Sequence, residues 1–231
     1  MDAPSRSPTV DDYAKAIYAL ESRRTEPVST TALAERLDLT PASVSGMLKR
    51  LDEQGVITYT PYHGVRLTGE GRRIALSVVR RHRLLELFLA ETLGLPWDRV
   101  HDEAEVLEHA LSEELADLIA DKLGQPTVDP HGDPIPSAAF ELQEPTTRSL
   151  QELEVGATGV FVRVSDSNPQ MLRYLSEQGI APGHRVEVVE RQPFGGPLFI
   201  RIADHVHPVG GELARAMRVD TTTPPSDTPA A

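Results

Sequence analysis

Histidine and glutamate side chains recur at helical spacing in two segments of the chain. In VHDEAEVLEH, four of them occupy positions i, i+4, i+7 and i+8: His101, Glu105, Glu108 and His109. In RRHRLLELFL, the i, i+4 spacing recurs with His82 and Glu86. Residues at these spacings fall within roughly 100° of one helix face, so two antiparallel helices could bring all six side chains together. Imidazole and carboxylate groups bind divalent metals, and the pattern therefore predicts a metal site rather than an ordinary solvated face.

The metal-binding pattern by itself does not distinguish a regulator from an enzyme or a metal store. Di-metal oxidase centres take carboxylate and imidazole ligands from more helices than the two found here. The chain has no HExxH motif, no serine nucleophile motif with its surroundings, and no cysteine. We therefore expect a protein that is not an enzyme and that holds its metal through oxygen and nitrogen. A non-regulatory metal-buffering protein stays an alternative.

The segments before the metal pattern predict a winged helix. Amphipathic helices are expected over 10–21 and 30–37. A third helix is expected from Pro41 to about residue 54, because Thr40 suits its cap and proline suits its first turn. Two β-rich runs flank the sequence PYHG and predict a hairpin. Two helices joined by a short turn and followed by a β-wing are typical of DNA-binding proteins.

The expected DNA-reading surface comprises the start of the third helix, two basic residues further along it, and the wing. Small polar side chains suit close entry into the major groove, whereas basic side chains suit phosphates. The residues of this surface are Thr40, Pro41, Ala42, Ser43, Ser45, Lys49, Arg50, His63 and Arg66. The net charge is −12, but residues 1–83 carry 13 of the 23 basic and only 10 of the 35 acidic residues. A helical hairpin that serves only packing or dimerisation is the alternative.

The rest of the chain predicts a helical pair, a connection and a small β-domain. Two long helices are expected over 71–93 and 102–123. Residues 124–149 are rich in proline, glycine, threonine and acids, which suits an extended or partly flexible connection. Short β-like runs beyond it predict a small, partly open β-barrel. No apolar run approaches the roughly 18 residues of a membrane helix, and signal-peptide features are missing, so we expect a cytoplasmic protein without membrane contact.

Four stretches resemble the diphtheria-toxin-repressor family of metal-dependent regulators: ALAERLDLTPASVSGMLKRLDEQGVI, RRHRLLELFLAETLG, VHDEAEVLEH and DPHGDPIP. The resemblance extends to about residue 220 and implies a mainly α fold with a smaller β part, in a homodimer that binds double-stranded operator DNA. The implied divisions are a winged helix-turn-helix DNA-binding domain (1–73), a helical metal-binding and dimerisation domain (74–142), a linker (143–150), an SH3-like β-barrel domain (151–220) and a disordered tail (221–231).

The resemblance also implies two metal sites per subunit. The primary site would combine Asp12, on the first helix, with three residues of the longer pattern: Glu105, Glu108 and His109. The ancillary site would use three others: His82, Glu86 and His101. Asp166 is the candidate that completes it from the third domain, with Gln170 as the second choice.

The identity of the metal follows from the same resemblance. The iron-sensing branch carries a cysteine at the position of Glu105 and a methionine at that of Asp12. Carboxylates in place of sulfur suit Mn²⁺, so we expect a manganese-activated repressor of manganese-uptake genes, with Fe²⁺ and an iron-dependent repressor as the alternative. Two-domain manganese regulators carry an acid where this chain has Lys15. The second site is therefore expected to follow the ancillary pattern rather than a closely paired binuclear one.

Overall fold

The structure, a computed structural model, describes residues 7–22 and 26–222. The predicted disordered tail, 221–231, lies outside the described residues except for its first two. The helices in the described ranges are α1 (Pro8–Glu21), α2 (Thr30–Leu37), α3 (Pro41–Glu53), α4 (Gly69–Leu93), α5 (Val100–Leu107), α6 (Glu113–Lys122), α7 (Pro169–Glu177) and α8 (Gly211–Ala216). The strands are β1 (Ile57–Thr60), β2 (Gly64–Leu67), β3 (Arg148–Ser149), β4 (Thr158–Arg163), β5 (Arg185–Arg191), β6 (Leu198–Ile202), β7 (His205–Val209) and β8 (Arg218–Asp220). None of these helices combines the length and apolar character that crossing a bilayer requires.

The turn between α2 and α3 has the local chemistry that the sequence predicts. Asp38 ends α2 in the left-handed conformation (φ 53°), and its backbone N–H donates to the carbonyl of Glu35. Thr40 then caps α3, because its hydroxyl accepts a hydrogen bond from the Ser43 N–H. Pro41 occupies the first helical turn, where a missing N–H leaves no hydrogen bond unmade. The predicted helix-turn-helix is confirmed.

The wing and α1 share one core with the helix-turn-helix. β1 and β2 pair as an antiparallel hairpin, with Ile57 opposite Leu67. Apolar side chains from α1, α2, α3, the hairpin and the first half of α4 form the core, in which Ile17, Leu33 and Leu48 are fully buried. Because Ile17 belongs to α1, this packing fixes α1 relative to the DNA-reading elements.

The single helix predicted over 102–123 is wrong, because the structure has two helices there. α5 ends at Leu107, and α6 begins at Glu113 after a turn. Ser112 caps α6, since its hydroxyl accepts a hydrogen bond from the Leu115 N–H at 3.2 Å. Acidic residues follow in the first turn, where they complement the positive end of the helix. The last two members of the sequence pattern therefore lie in the turn after α5 and not on a continuous helix face.

The chain divides into two compact units. Of the described residues, the first unit comprises 7–22, 26–85, 105–125 and 135–142, and the second comprises 86–104, 126–134 and 143–222. The proline-rich segment is thus divided between the units, and its part in the first unit packs Phe140 and Leu142 against the core described above. Arg80 of α4 donates to the carbonyl of Pro136 at 2.9 Å, a buried hydrogen bond that holds the same segment.

The second unit contains the predicted β-domain. Its six-stranded antiparallel sheet has the strand order β3-β8-β4-β5-β6-β7. The sheet and α7 enclose a core of their own, in which Phe161, Leu172 and Ile200 are buried. The sequence did not predict β7, whose Pro208 is unusual in a strand; β7 lies at the edge of the sheet, where a proline is tolerated.

Candidate metal centre

Three of the predicted ligands meet within the first unit, between α1 and the turn after α5. Asp12 lies on the second turn of α1, whereas Glu108 and His109 follow the end of α5. Asp12 Oδ1 is 3.1 Å from His109 Nε2, which is 3.9 Å from Glu108 Oε1. Each of the three offers one ligand atom within 4.8 Å of the others. We refer to Asp12, Glu108 and His109 as the first ligand set.

A second ligand set, defined as His82, Glu105 and Glu108, shares Glu108 with the first. His82 Nδ1 is 2.6 Å from Glu108 Oε2 and 3.8 Å from Glu105 Oε1. The three side chains again offer ligand atoms within 4.8 Å of one another. The structure therefore brings His82, which the family resemblance assigns to the ancillary site, against the two glutamates of the primary site.

A lysine from α1 contacts the second ligand set. Lys15 Nζ donates to Glu105 Oε1 at 2.6 Å and to Glu108 Oε2 at 2.8 Å. The same nitrogen lies 3.1 Å from His82 Nδ1. One positive charge from the chain itself therefore lies among the acids of these two sets.

The carboxyl groups of the first ligand set show the effect of this crowding. Glu108 is fully buried, which raises its pKa, but the hydrogen bond with His82 and the charge of Lys15 outweigh burial and hold the pKa below its usual value. Burial raises the pKa of Asp12; the His109 charge opposes the rise and the neighbouring carboxylates reinforce it. Such a group of acids is stabilised by added positive charge.

Arg81 of α4 supports the turn that carries the ligands, and the sequence analysis did not single it out. Its Nε donates to the backbone carbonyl of Glu108 at 3.0 Å, and its Nη2 donates to Asp11 Oδ2 at 3.0 Å. Its Nη1 donates to Glu113 Oε1 at 2.7 Å. One guanidinium thus connects α1, the ligand turn and the start of α6. The only sequence signal was the position of Arg81 and Asp11, each adjacent to a predicted ligand.

The second unit brings together three of the remaining predicted ligands. His101 Nδ1 is 3.0 Å from Asp166 Oδ2 and 3.3 Å from Glu86 Oε1. The hydrogen bonds to Asp166 and Glu86 raise the pKa of His101 to about 10. Burial raises the pKa of Asp166, but the bond from His101 outweighs it and lowers the pKa below its usual value. Gln170, the second choice from sequence, is exposed in the first turn of α7, where its backbone N–H donates to Asn168.

A fourth group was missed because it lies in a loop without helical periodicity. Glu86, Asp129 and His131 are all buried, and each offers a ligand atom within 4.8 Å of the others. His131 Nε2 donates to the carbonyl of Trp97 at 2.8 Å, so in a neutral ring Nδ1 carries the lone pair. His131 Nδ1 lies 3.9 Å from Glu86 Oε2. Asp129 Oδ1 accepts hydrogen bonds from two loop N–H groups, including that of His131. The DPHGDPIP stretch that carried the family resemblance was the available signal.

The donor atoms of these groups fit a divalent transition metal. They comprise carboxylate oxygens and imidazole nitrogens without sulfur, which is a set that hard and borderline divalent ions accept. His131 Nδ1, which lies 3.9 Å from Glu86 Oε2, is buried without a hydrogen-bond partner among the described residues. A buried imidazole nitrogen of this kind is available to a metal ion.

The helix-turn-helix exposes the face that the sequence predicts for DNA. Val44, Leu48 and Leu51 of α3 are buried, which leaves the opposite face of the helix to solvent. The predicted residues on that face or on the wing are exposed, apart from the half-buried Ser45: Thr40, Pro41, Ala42, Ser43, Lys49, Arg50, His63 and Arg66. The Thr40 hydroxyl is engaged in capping α3 and the Ser45 hydroxyl donates to the Pro41 carbonyl, so their contribution to this face is partly structural.

Three segments of the chain match models of known protein families. Residues 6–65 match the family model described as "Iron dependent repressor, N-terminal DNA binding domain", residues 68–137 match "Iron dependent repressor, metal binding and dimerisation domain", and residues 148–221 match "FeoA domain". These matches and the geometry define a metal-dependent transcription repressor with a winged helix and a C-terminal SH3-like domain.

Individual relatives identify the family within that class. "Iron-dependent repressor IdeR" of Mycobacterium tuberculosis is 33% identical over 225 residues, which covers 92% of this chain and 96% of the relative. "Diphtheria toxin repressor" of Corynebacterium glutamicum is 29% identical over 92% of this chain and 96% of its own length. The chain belongs to the diphtheria-toxin-repressor family, as the sequence analysis predicted.

Solved structures of similar proteins include manganese-dependent regulators. "Manganese-dependent transcriptional repressor complex with manganese" has a TM-score of 0.85 and 43% identity, and the match covers 92% of this chain and 99% of that one. "Structure of the manganese regulator SloR" has a TM-score of 0.72 and 29% identity, over 94% of this chain and 100% of that one. Both support the fold described above.

Proposed function

We propose that this protein is a manganese-activated repressor that binds double-stranded operator DNA as a homodimer and controls manganese-uptake genes. The observation that carries the proposal is the first ligand set, in which Asp12 from α1 lies 3.1 Å from His109 in the turn after α5. Glu108 and Glu105 complete the proposed primary site. This site joins the helix that shares the winged-helix core to the segment whose family match includes dimerisation.

Each proposed ligand has its own role in the activation of DNA binding by the metal. Bound Mn²⁺ supplies a compact double positive charge that oxygen and imidazole ligands share. Glu108 is buried and ionised, and Arg81 holds its backbone, so this carboxylate is positioned before any metal arrives. Asp12 is half-exposed, so α1 brings its carboxylate to a site built largely by the turn after α5. Asp12, Glu108 and His109 would hold the ion together, and this would fix the DNA-reading helices relative to the dimer segment and so set the spacing of two recognition helices.

The donor chemistry supports manganese over other metals. The chain has no cysteine, and the positions of Asp12 and Glu105 carry carboxylates. Oxygen ligands suit Mn²⁺, whereas sulfur ligands favour softer or later metals. Structural relatives that are manganese-dependent regulators agree with this choice, whereas sequence relatives such as IdeR are iron-dependent repressors. Fe²⁺ in the same sites is therefore the alternative.

Exposed apolar side chains support the proposed homodimer. Val106 and Leu107 at the end of α5 and Leu115 and Leu118 on α6 are between 41% and 73% exposed. Neighbouring exposed apolar groups of this kind mark interaction surfaces. A two-fold dimer would present two copies of α3, which a palindromic operator can meet in successive major grooves.

A second metal site per subunit is part of the proposal. Glu86, His101 and Asp166 lie together in the second unit, and His131 lies beside Glu86 on its other side. His82 precedes Glu86 by one turn of α4, as the ancillary pattern requires. The protein is proposed to act in the cytoplasm and to have no enzymatic activity.

Operator binding under controlled metal distinguishes this function from iron sensing and from metal buffering. Fluorescence anisotropy on promoter DNA from the organism's own genome would be measured anaerobically with Mn²⁺, Fe²⁺ and Zn²⁺ in turn. We expect Mn²⁺ to drive specific binding, and Glu105→Cys to require more free Mn²⁺. Glu103→Cys, which places the same side chain at an exposed position of α5, is the matched control and should behave as the parent protein.

Two outcomes would contradict the proposal. If Fe²⁺ activates operator binding equally well and Glu105→Cys does not change activation by Mn²⁺, manganese selectivity is wrong. The assignment to metal-dependent repressors would still hold. Metal binding without any metal-dependent change in operator affinity would favour a metal-buffering protein.

A further inference from the structure

Lys15 lies where a second cation would have to lie. Its Nζ is within 3.1 Å of all three members of the second ligand set: 2.6 Å from Glu105, 2.8 Å from Glu108 and 3.1 Å from His82. Its side chain is only 18% exposed. An ammonium and a divalent metal ion both seek such a group of acceptors, and the lysine has reached it from the adjacent turn of α1.

The two ligand sets define two adjacent cation positions because they share Glu108. The first set has Asp12 and His109 on one side of this carboxylate, and the second has His82 and Glu105 on the other. Both oxygens of Glu108 accept hydrogen bonds from Lys15, Oε2 at 2.8 Å and Oε1 at 3.0 Å. Oε2 also contacts His82 at 2.6 Å, and Oε1 lies 3.9 Å from His109 Nε2. Glu108 therefore belongs to both cation positions, and the ammonium fills the one that it shares with His82 and Glu105.

The formal charges of the side chains also favour a single divalent ion. Asp12, Glu105 and Glu108 carry three negative charges when ionised. One ammonium together with one divalent cation neutralises them, whereas two divalent cations beside Lys15 would leave two positive charges in excess. Like charges a few ångströms apart in a partly buried site repel strongly, and water screens them little there.

We propose that Lys15 is a built-in cation of this centre, which occupies the second of two adjacent cation positions and limits the centre to one divalent ion. This inference rests on the proposed function, because it takes the first ligand set as a metal site. The lysine is then a determinant of stoichiometry: its ammonium holds Glu105 and Glu108 in place and excludes a second metal from them.

Counting bound Mn²⁺ in charge variants tests the inference. Wild-type protein, Lys15→Arg and Lys15→Glu would be dialysed against the same free Mn²⁺, and bound metal per subunit would be measured by mass spectrometry. Lys15→Arg keeps the positive charge and should match the wild type. Lys15→Glu replaces the ammonium with a carboxylate and brings the negative charges of the centre to four, which two divalent ions neutralise. This variant should bind one additional Mn²⁺ per subunit. Comparison between variants cancels the contribution of the site near Glu86.

Electron paramagnetic resonance provides a second readout, and its wild-type measurement does not depend on the folding of a variant. Wild-type protein loaded with Mn²⁺ should give the spectrum of magnetically separate ions, whereas Lys15→Glu should give that of a coupled pair bridged by Glu108. A coupled pair in the wild type, or an unchanged metal count in a folded Lys15→Glu protein, would overturn the inference. Absence of Mn²⁺ binding by the wild type would instead overturn the proposed function, so the two failures are distinguishable.

Discussion

Asp11 and Asp12 are adjacent on α1 but contact different partners. Replacing each with alanine should therefore separate an effect on stability from an effect on metal binding. Asp11 is 8% exposed and accepts a hydrogen bond from Arg81 at 3.0 Å. Asp12 is directed toward His109, with its side chain 43% exposed. We expect Asp11→Ala to destabilise the metal-free protein and Asp12→Ala to weaken Mn²⁺ binding.

The magnitudes follow from what each substitution leaves behind. Removing one partner of a fully buried ion pair costs about 3 to 5 kcal/mol, because the other charge is left unpaired. Without Asp11, however, Arg81 keeps Glu113, Ser77 and the Glu108 carbonyl as acceptors. The loss should therefore be that of one charge-assisted hydrogen bond, about 2 kcal/mol. Asp12→Ala should change the free energy of unfolding by less than about 0.5 kcal/mol, as expected for a half-exposed site.

The affinity change should run in the opposite order. Loss of groups that merely orient a ligand lowers metal affinity by about 10- to 100-fold, so removal of the Asp12 carboxylate should exceed roughly 100-fold. Asp11→Ala should remain below about 10-fold, since Arg81 still holds the ligand turn. The assays are urea unfolding of the metal-free proteins, read at constant m-value, and calorimetric titration with Mn²⁺. Equal losses of stability and affinity in both variants would refute the assignment of separate duties.

Three further predictions test other parts of the structure. Ser112→Ala should remove the cap of α6 and lower the free energy of unfolding by about 1 kcal/mol in a urea titration. The control Ser167→Ala, at an exposed position before α7, should have little effect. Equal losses in the two variants would argue against the cap. His131→Ala should lower the number of Mn²⁺ ions bound per subunit, as counted after dialysis, and an unchanged count would exclude His131 from the second site. Lys49→Ala should weaken operator binding for all sequences alike and reduce the salt slope by about 1, as measured by anisotropy at several salt concentrations; a loss confined to one base position would instead indicate base reading by Lys49.

The helix-turn-helix could be predicted from sequence because its signals are local. The Thr40 cap, the Pro41 start and the apolar positions of α3 are set by residues within a few positions of one another. The break between α5 and α6 was local as well, and Ser112 followed by two acids was its signal. Apolar and charged residues keep a helical spacing throughout 102–123. The pattern therefore predicted one helix and did not reveal the break.

The candidate site could be predicted only in part, for a physical reason. Helical spacing in the sequence selected Glu105 and Glu108 as candidate ligands, and the structure places both beside His82, which the family resemblance had assigned to the other site. Spacing gave no information about His131, because this buried residue lies in a loop that has neither helical nor strand periodicity. Arg81 was missed because its function is to hold a backbone carbonyl, and every residue type provides that acceptor.

Composition and local pattern alone determined the donor chemistry and the class of fold. A pattern of carboxylates and imidazoles at helical spacing, in a chain without cysteine, offers a metal only oxygen and nitrogen donors, whatever the tertiary structure. Only the tertiary structure decided which donors belong to the same ligand set and that Lys15 contacts the second set. Lys15 and Glu105 are 90 positions apart in sequence, yet their charged atoms are 2.6 Å apart. Contacts at that separation arise from the packing of helices around a common core, which no local spacing encodes.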